Sequence, residues 1–186
     1  MPMPWDRPDV PSAFTLREGA ERLASCRWVE LRLYEAMGGW VPTIPELDVR
    51  LAVGAACHAH AWHASEWEGV DAAPFDGAVE ALLEAVAAPT GTLERLVGAY
   101  RVVVPRLVAT YTAHRNHTSA AADAPLARSL GLVLADELAA WREGEMLVQS
   151  LIADADGAAA AAAHQGRLEA LVAGAGGLAG PRTLRP

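Results

Sequence analysis

Lysine is absent from this 186-residue chain, and all 15 of its basic residues are arginine. That excludes a Schiff-base lysine, lysine-linked pyridoxal phosphate and a phosphate-binding P-loop lysine. No Gly-x-Ser-x-Gly elbow occurs, so a serine-nucleophile site has no support. Cysteine is scarce. Cys26 and Cys57 lie far apart within predicted helices, which excludes a disulfide framework and reads as two buried thiols. No run of 18 uncharged apolar residues appears, so no membrane-spanning helix is predicted. The opening Met-Pro-Met-Pro-Trp-Asp-Arg-Pro lacks the basic start and apolar run of a signal peptide, and a cytoplasmic location is the expectation. Net charge is −8, with the arginines scattered. Neither nucleic acid nor an anionic membrane is an expected partner.

What is present is helical periodicity. The composition is 52% hydrophobic, enough for one domain with a sizeable core. Residues 1–12 are proline-rich and read as an extended arm. A first helix is expected from Ser12 or Thr15 to Met37, stopped by Gly38-Gly39. A second starts at Thr43-Ile-Pro-Glu46, which reads as a capping box, and ends near Trp67–Gly69. The connection that follows holds a short helix from Asp76 to Ala87. A third long helix runs from Thr92 to His114, with Pro105 expected to kink it. A fourth runs from Asp123 to about Asp154. Residues 157–174 form a weaker alanine-rich helix, and the tail from Gly174 is expected to be mobile. The division is an arm at 1–12, a bundle at 13–155, and an alanine-rich helix with tail at 156–186.

Each residue advances about 100° around a helix, which sorts inward from outward positions. Glu30 falls in the apolar stripe of the first helix. His60 and His63, at i and i+3, fall in that of the second. Glu137 lies near the centre of the stripe on the fourth. Tyr100 and Tyr111 lie in the stripe of the third. Two imidazoles and two carboxylates turned into one core are costly unless partnered. They suit a divalent metal with open coordination positions, such as iron, manganese or zinc. The set carries one difficulty. Glu30 lies 7 residues before Met37 and His60 lies 17 after Thr43, so their depths in a tight hairpin differ by about 15 Å. Either the first helix extends further or the connection climbs along the bundle.

With these residues placed, the chain resembles the ferritin-like superfamily over roughly residues 15–155. The stretches that carry the resemblance are Arg27-Trp-Val-Glu30, His60-Ala-Trp-His63-Ala-Ser-Glu-Trp67, and Asp136-Glu137 through Trp141-Arg-Glu-Gly-Glu145. Small bacterial ferritin-like proteins look similar. The resemblance implies an all-α, ferritin-like four-helix bundle with a long crossover carrying the short helix. Di-iron members place one Glu on each of two helices and Glu-x-x-His on each of the other two. Glu30, His63 and Glu137 match that pattern. His60 stands where a glutamate is expected, Tyr100 is the nearest inward polar residue where the third helix lacks its glutamate, and Ala140 replaces a histidine. The implied site is a remodelled one, holding iron or manganese on Glu30, His60, His63 and Glu137. Tyr100 and Trp141 are the candidate catalytic residues, either of which would shape its cavity.

The function so implied is a non-haem metal oxidoreductase acting on a small metabolite. Two alternatives stay open: a metal-free binding or scaffold protein with a buried His/Glu network, and a metal-free His–Glu acid–base enzyme. Trp62, Trp67 and Trp141 read as packing. His114 and His117 read as solvated residues at a helix end, and Glu143 and Glu145 as a solvated face. Leu47, Leu51, His58 and Trp62 form a second stripe on the second helix, which makes a homodimer plausible.

Overall fold

Thr15 starts the first helix. Its Oγ1 accepts from the Glu18 amide at 3.2 Å, and Glu18 Oε2 accepts from the Thr15 amide at 2.9 Å. This capping box satisfies amides that a helix start leaves bare. The computed structural model describes residues 14–119 and 123–179, so the arm expected at 1–12 lies outside the described residues. All regular structure among them is helical, with no strand.

Helix α1 (Leu16–Trp40) continues through Gly38-Gly39, where the sequence predicts a stop. A glycine in a helix interior costs about 1 kcal/mol. Burial of Met37 and Trp40, one turn apart, offsets that cost. A 3-10 turn at Val41–Thr43 follows, and α2 (Leu47–Glu66) runs back antiparallel. The capping box expected at Thr43 does not form. Glu46 is the N-cap residue without a side-chain cap. Thr43 Oγ1 instead donates to the Trp40 carbonyl at 2.9 Å and accepts from Arg95 Nη1 at 2.8 Å, while Glu46 Oε2 accepts from Thr92 Oγ1. The two residues tie the α1–α2 corner to the next hairpin rather than to their own helix.

Helix α3 (Gly77–Ala87) lies in the connection, started by Asp76, whose Oδ1 accepts from the amides of Ala78 and Val79. Helix α4 (Thr92–Leu96), a π-helical segment (Val97–Val103) and α5 (Val104–Asn116) then run on as one helical rod. The disturbance expected of Pro105 is this wide turn. Proline donates no hydrogen bond and crowds the carbonyl four residues earlier. The wider ladder relieves that crowding, and the Val104 amide reaches the Ala99 carbonyl, five residues back. Helix α6 (Ala124–Leu151), capped by Asp123, completes the second hairpin with α5.

Helix α7 (Ala155–Ala175) is longer than expected and packs on α3 and the π-helical segment. The approach is close. A Cβ on Gly98 would lie 3.2 Å from Val86 and 3.3 Å from Leu168. Of the tail expected to be mobile from Gly174, residues 180–186 lie outside the described residues, while Leu178 and Ala179 pack against the bundle. Gly176, at φ 67°, ends the helix in the left-handed conformation that glycine adopts freely. Leu178 is then buried, and its carbonyl accepts from Ser25 Oγ on α1 at 2.6 Å. Among the described residues no helix is long and apolar enough to cross a membrane.

Candidate metal centre

The longer α1 and the later start of α2 together remove the depth mismatch. Glu30 now lies 10 residues before the end of α1, and His60 lies 13 after the start of α2. The difference of three residues is about 4.5 Å along the helix axes, within side-chain reach. The structure brings together Glu30, His60, His63 and Glu137. Their donor atoms all lie within 4.8 Å of one another, and none of the four side chains is more than 2% exposed.

The four residues pair in a crossed pattern. His60 Nδ1 sits 2.6 Å from Glu30 Oε2 and 3.4 Å from Glu137 Oε1. His63 Nδ1 sits 2.9 Å from Glu137 Oε1 and 3.6 Å from Glu30 Oε2. Both Nδ1 atoms therefore face the same two carboxylate oxygens. The i, i+3 spacing on α2 produces this, because it stacks the two rings on one helix face. Their centroids are 5.9 Å apart and the planes nearly perpendicular.

Electrostatics follow the pairing. Burial alone would lower both imidazoles. The two carboxylates outweigh it and lift His60 to about 10 and His63 to about 9. Burial would raise the Glu30 carboxyl, but the two histidines outweigh that and hold it below the usual carboxylate range. Without a metal, then, the quartet is two imidazolium and carboxylate pairs. Burial, with Glu30 nearby, pushes the Cys26 thiol up to about 12. It stays a thiol, not a thiolate ligand.

Two outer residues brace the quartet by hydrogen bonds, and a third carboxylate stands near it. Tyr111 donates from its hydroxyl to Glu30 Oε1 at 2.7 Å. Trp67 Nε1 donates to that same hydroxyl at 3.2 Å. Asp136, half exposed on α6, places Oδ2 3.6 Å from His63 Nε2. The sequence places Tyr111 inward and Trp67 in the core, but not their bonds. Those depend on which turn of α5 meets α1 and on the polar tips that buried Tyr and Trp must satisfy. Two buried atoms remain unpaired by hydrogen-bond criteria, His63 Nε2 and Glu137 Oε2.

Tyr100 and Trp141 stand differently. Tyr100 is buried, with its ring against Gly144 of α6, where a Cβ would fall 2.1 Å from the ring. Among the described residues no hydrogen bond joins it to the quartet. Trp141 is 37% exposed and lines an outer groove with Arg101, Pro105, Leu138 and Met146, apart from the buried quartet. The groove also holds Glu145, which is not simply solvated, because it forms a two-pronged ion pair with Arg101 at 2.7 and 2.9 Å.

The expectation for His114 is corrected. It is 1% exposed rather than solvated. Phe14 packs edge-on against its ring and stacks on His117. Burial, with Arg22 nearby, lowers His114 to about 4, so it is neutral in the fold.

No family model matches the chain, and no curated protein or solved structure matches it either.

Proposed function

We propose that Glu30, His60, His63 and Glu137 hold one divalent transition metal, and that the protein is a remodelled ferritin-like oxidoreductase. The observation that carries this reading is the buried quartet itself, whose four donor atoms lie within 4.8 Å of one another. The donor set fits the group. Imidazole nitrogen with carboxylate oxygen suits iron, manganese or zinc, and two carboxylates match a divalent charge. Glu137 Oε2, buried without a partner, has lone pairs that a cation would take up. Four protein ligands in a core without any Glu-x-x-His motif favour one metal over two.

Iron or manganese in such a site supplies redox chemistry and Lewis acidity. The residues of this chain perform the rest. His60 and His63 would hold the metal as neutral imidazoles, their Nδ1 protons released to solvent on loading. Glu30 and Glu137 balance the charge. Tyr111 and Trp67 fix the plane of Glu30, while Asp136 stands 3.6 Å from the other ring nitrogen of His63 without a hydrogen bond to it. The walls exclude bulk water from the centre. A small metabolite remains the proposed substrate class.

One observation favours a second reading, a metal-free scaffold. The quartet can neutralise itself, since two imidazolium ions and two carboxylates already pair at 2.6 and 2.9 Å. The acid–base reading is less favoured, because it needs solvent beside His60, which is 2% exposed.

Metal content decides between the first two. The untagged chain is purified, loaded anaerobically with Fe(II) or Mn(II), desalted and measured by plasma mass spectrometry. About one metal per chain is expected, lost in the His60→Ala/His63→Ala variant while helical circular dichroism persists. No retained metal in the folded wild type overturns the metal reading and leaves the scaffold.

A further inference from the structure

Helix α6 carries two adjacent carboxylates that face different ways. Successive residues on a helix point about 100° apart. Glu137 is turned into the core at 0% exposure, while the side chain of Asp136 is 57% exposed on the flank that meets α2. His63 stands between them. Its Nδ1 sits 2.9 Å from Glu137 Oε1, inside the quartet, and its Nε2 sits 3.6 Å from Asp136 Oδ2, on the outer side. Among the described residues, Asp136 is the one exposed carboxylate within ion-pair distance of either quartet histidine.

The outer nitrogen of His63 is buried and makes no hydrogen bond. A ring nitrogen left so is costly unless something takes it up. The 3.6 Å gap to Asp136 is too long for a hydrogen bond. It fits the bite of a cation. Two ligands at about 2.0–2.2 Å from a shared ion, near the tetrahedral angle, stand about 3.3–3.6 Å apart.

Charge favours a cation there as well. Glu30, Glu137 and Asp136 outnumber His60 and His63, so the group keeps one negative charge in excess even with both rings protonated. Asp136 has no arginine partner among the described residues. Helix α2 has no arginine after Arg50, and α6 has none between Arg128 and Arg142. Glu66, one turn beyond His63, adds a carboxylate to the same seam between α2 and α6, where Ser129 donates to it at 2.7 Å. Charge of one sign beside an entry raises the local concentration of the opposite ion.

Resting on the reading of the quartet as a metal centre, we propose that Asp136 Oδ2 and His63 Nε2 form an outer station, where a hydrated divalent cation is caught on its way to the inner donors. Two protein ligands, with water in the remaining positions, hold an ion loosely; the four buried donors hold it firmly. His63 serves both places, through Nε2 outside and Nδ1 inside.

The test is the rate of Mn(II) uptake by the untagged, metal-stripped full chain, read as loss of the free-ion signal in electron paramagnetic resonance beside circular dichroism. The wild type is expected to load about one Mn(II) per chain. Asp136→Asn is expected to reach the same final content on the order of tenfold more slowly. Asp136→Glu, which keeps the charge, is expected to load within about twofold of the wild-type rate. Salt at about 1 M, which shortens screening to about 3 Å, should slow the wild type and narrow its lead over Asp136→Asn. If Asp136→Asn misfolds, the salt dependence of the wild type decides, and a rate unmoved by salt overturns the proposal. Equal rates in wild type and Asp136→Asn also overturn it. So does an unchanged rate with lower final content, which would make Asp136 a positioning residue for metal already bound. A folded wild type that takes up no Mn(II) overturns the quartet reading along with this one.

Discussion

Tyr111 and Glu30 are joined by a 2.7 Å hydrogen bond inside the bundle, and the tyrosine's hydroxyl oxygen also accepts from Trp67. One hydroxyl thus links α5, α1 and the end of α2 around a carboxylate that is 0% exposed. Tyr111→Phe keeps the ring and removes the link. Glu30 Oε1 and Trp67 Nε1 are then left buried without that partner. A hydrogen bond to a charged acceptor contributes about 1.5–3 kcal/mol, and a loss of about 2 kcal/mol is expected in urea unfolding of the metal-free protein. A loss below 0.5 kcal/mol would show that this bond does not hold the centre.

Proton release should accompany metal binding. At neutral pH the metal-free centre holds protons on His60 and His63, because the carboxylates lift these groups to about 10 and about 9. A metal requires neutral imidazole, so loading at neutral pH expels about two protons, and affinity rises with pH. Calorimetry in two buffers of different ionisation enthalpy counts them. Loading without release would mean that the histidines are not the ligands.

The same shifts give the metal-free protein an alkaline limit. A group whose folded pKa is raised stabilises the fold below its unfolded value of 6.5, and that contribution is lost as pH rises through about 9 to 10. Thermal unfolding of the stripped protein should therefore drop in this window. The drop should be absent in His60→Ala/His63→Ala.

His114 predicts the opposite limb. Its folded pKa is lowered from 6.5 to about 4. The unfolded chain binds this proton first, so stability falls as pH falls from about 6.5 to 4. Its burial makes the effect on the order of 2–3 kcal/mol at full extent. The pH dependence of urea midpoints should show the slope, and His114→Gln should flatten it.

Gly144→Ala tests the contact between α6 and the π-helical segment. The new Cβ would meet the Tyr100 ring at 2.1 Å, and a ring buried on both sides has nowhere to swing. Overpacking of this kind costs about 1–3 kcal/mol. A thermal midpoint within a degree of wild type would show that the two helices part easily.

Much of this is legible in the residues. The 3.6-residue period locates the long helices and turns Glu30, His60, His63 and Glu137 inward, because a helix face is a local property. Asp76 and Asp123 mark helix starts for the same reason. What is not local is not legible. Gly38-Gly39 reads as a stop, yet α1 runs on, since Met37 and Trp40 gain more from burial than the glycines cost. Thr43 and Glu46 have capping-box spacing but bond to Arg95 and Thr92 of a distant segment. His114 looks like a helix-end cation until Phe14 covers it. The metal reading likewise draws its residues from sequence and its closeness from the corner that α1 extends.

The bond from Ser25 to the Leu178 carbonyl spans 153 residues. The proposed ligands need only residues 30–137 to meet, so during synthesis they can gather before the chain behind them has emerged. The seat of Leu178 on α1 is expected to come last. Its loop-closure entropy is large, but it grows only with the logarithm of loop length. If the contact forms after the folding barrier, weakening it should hasten unfolding more than it delays folding, which stopped-flow kinetics of Ser25→Ala would read.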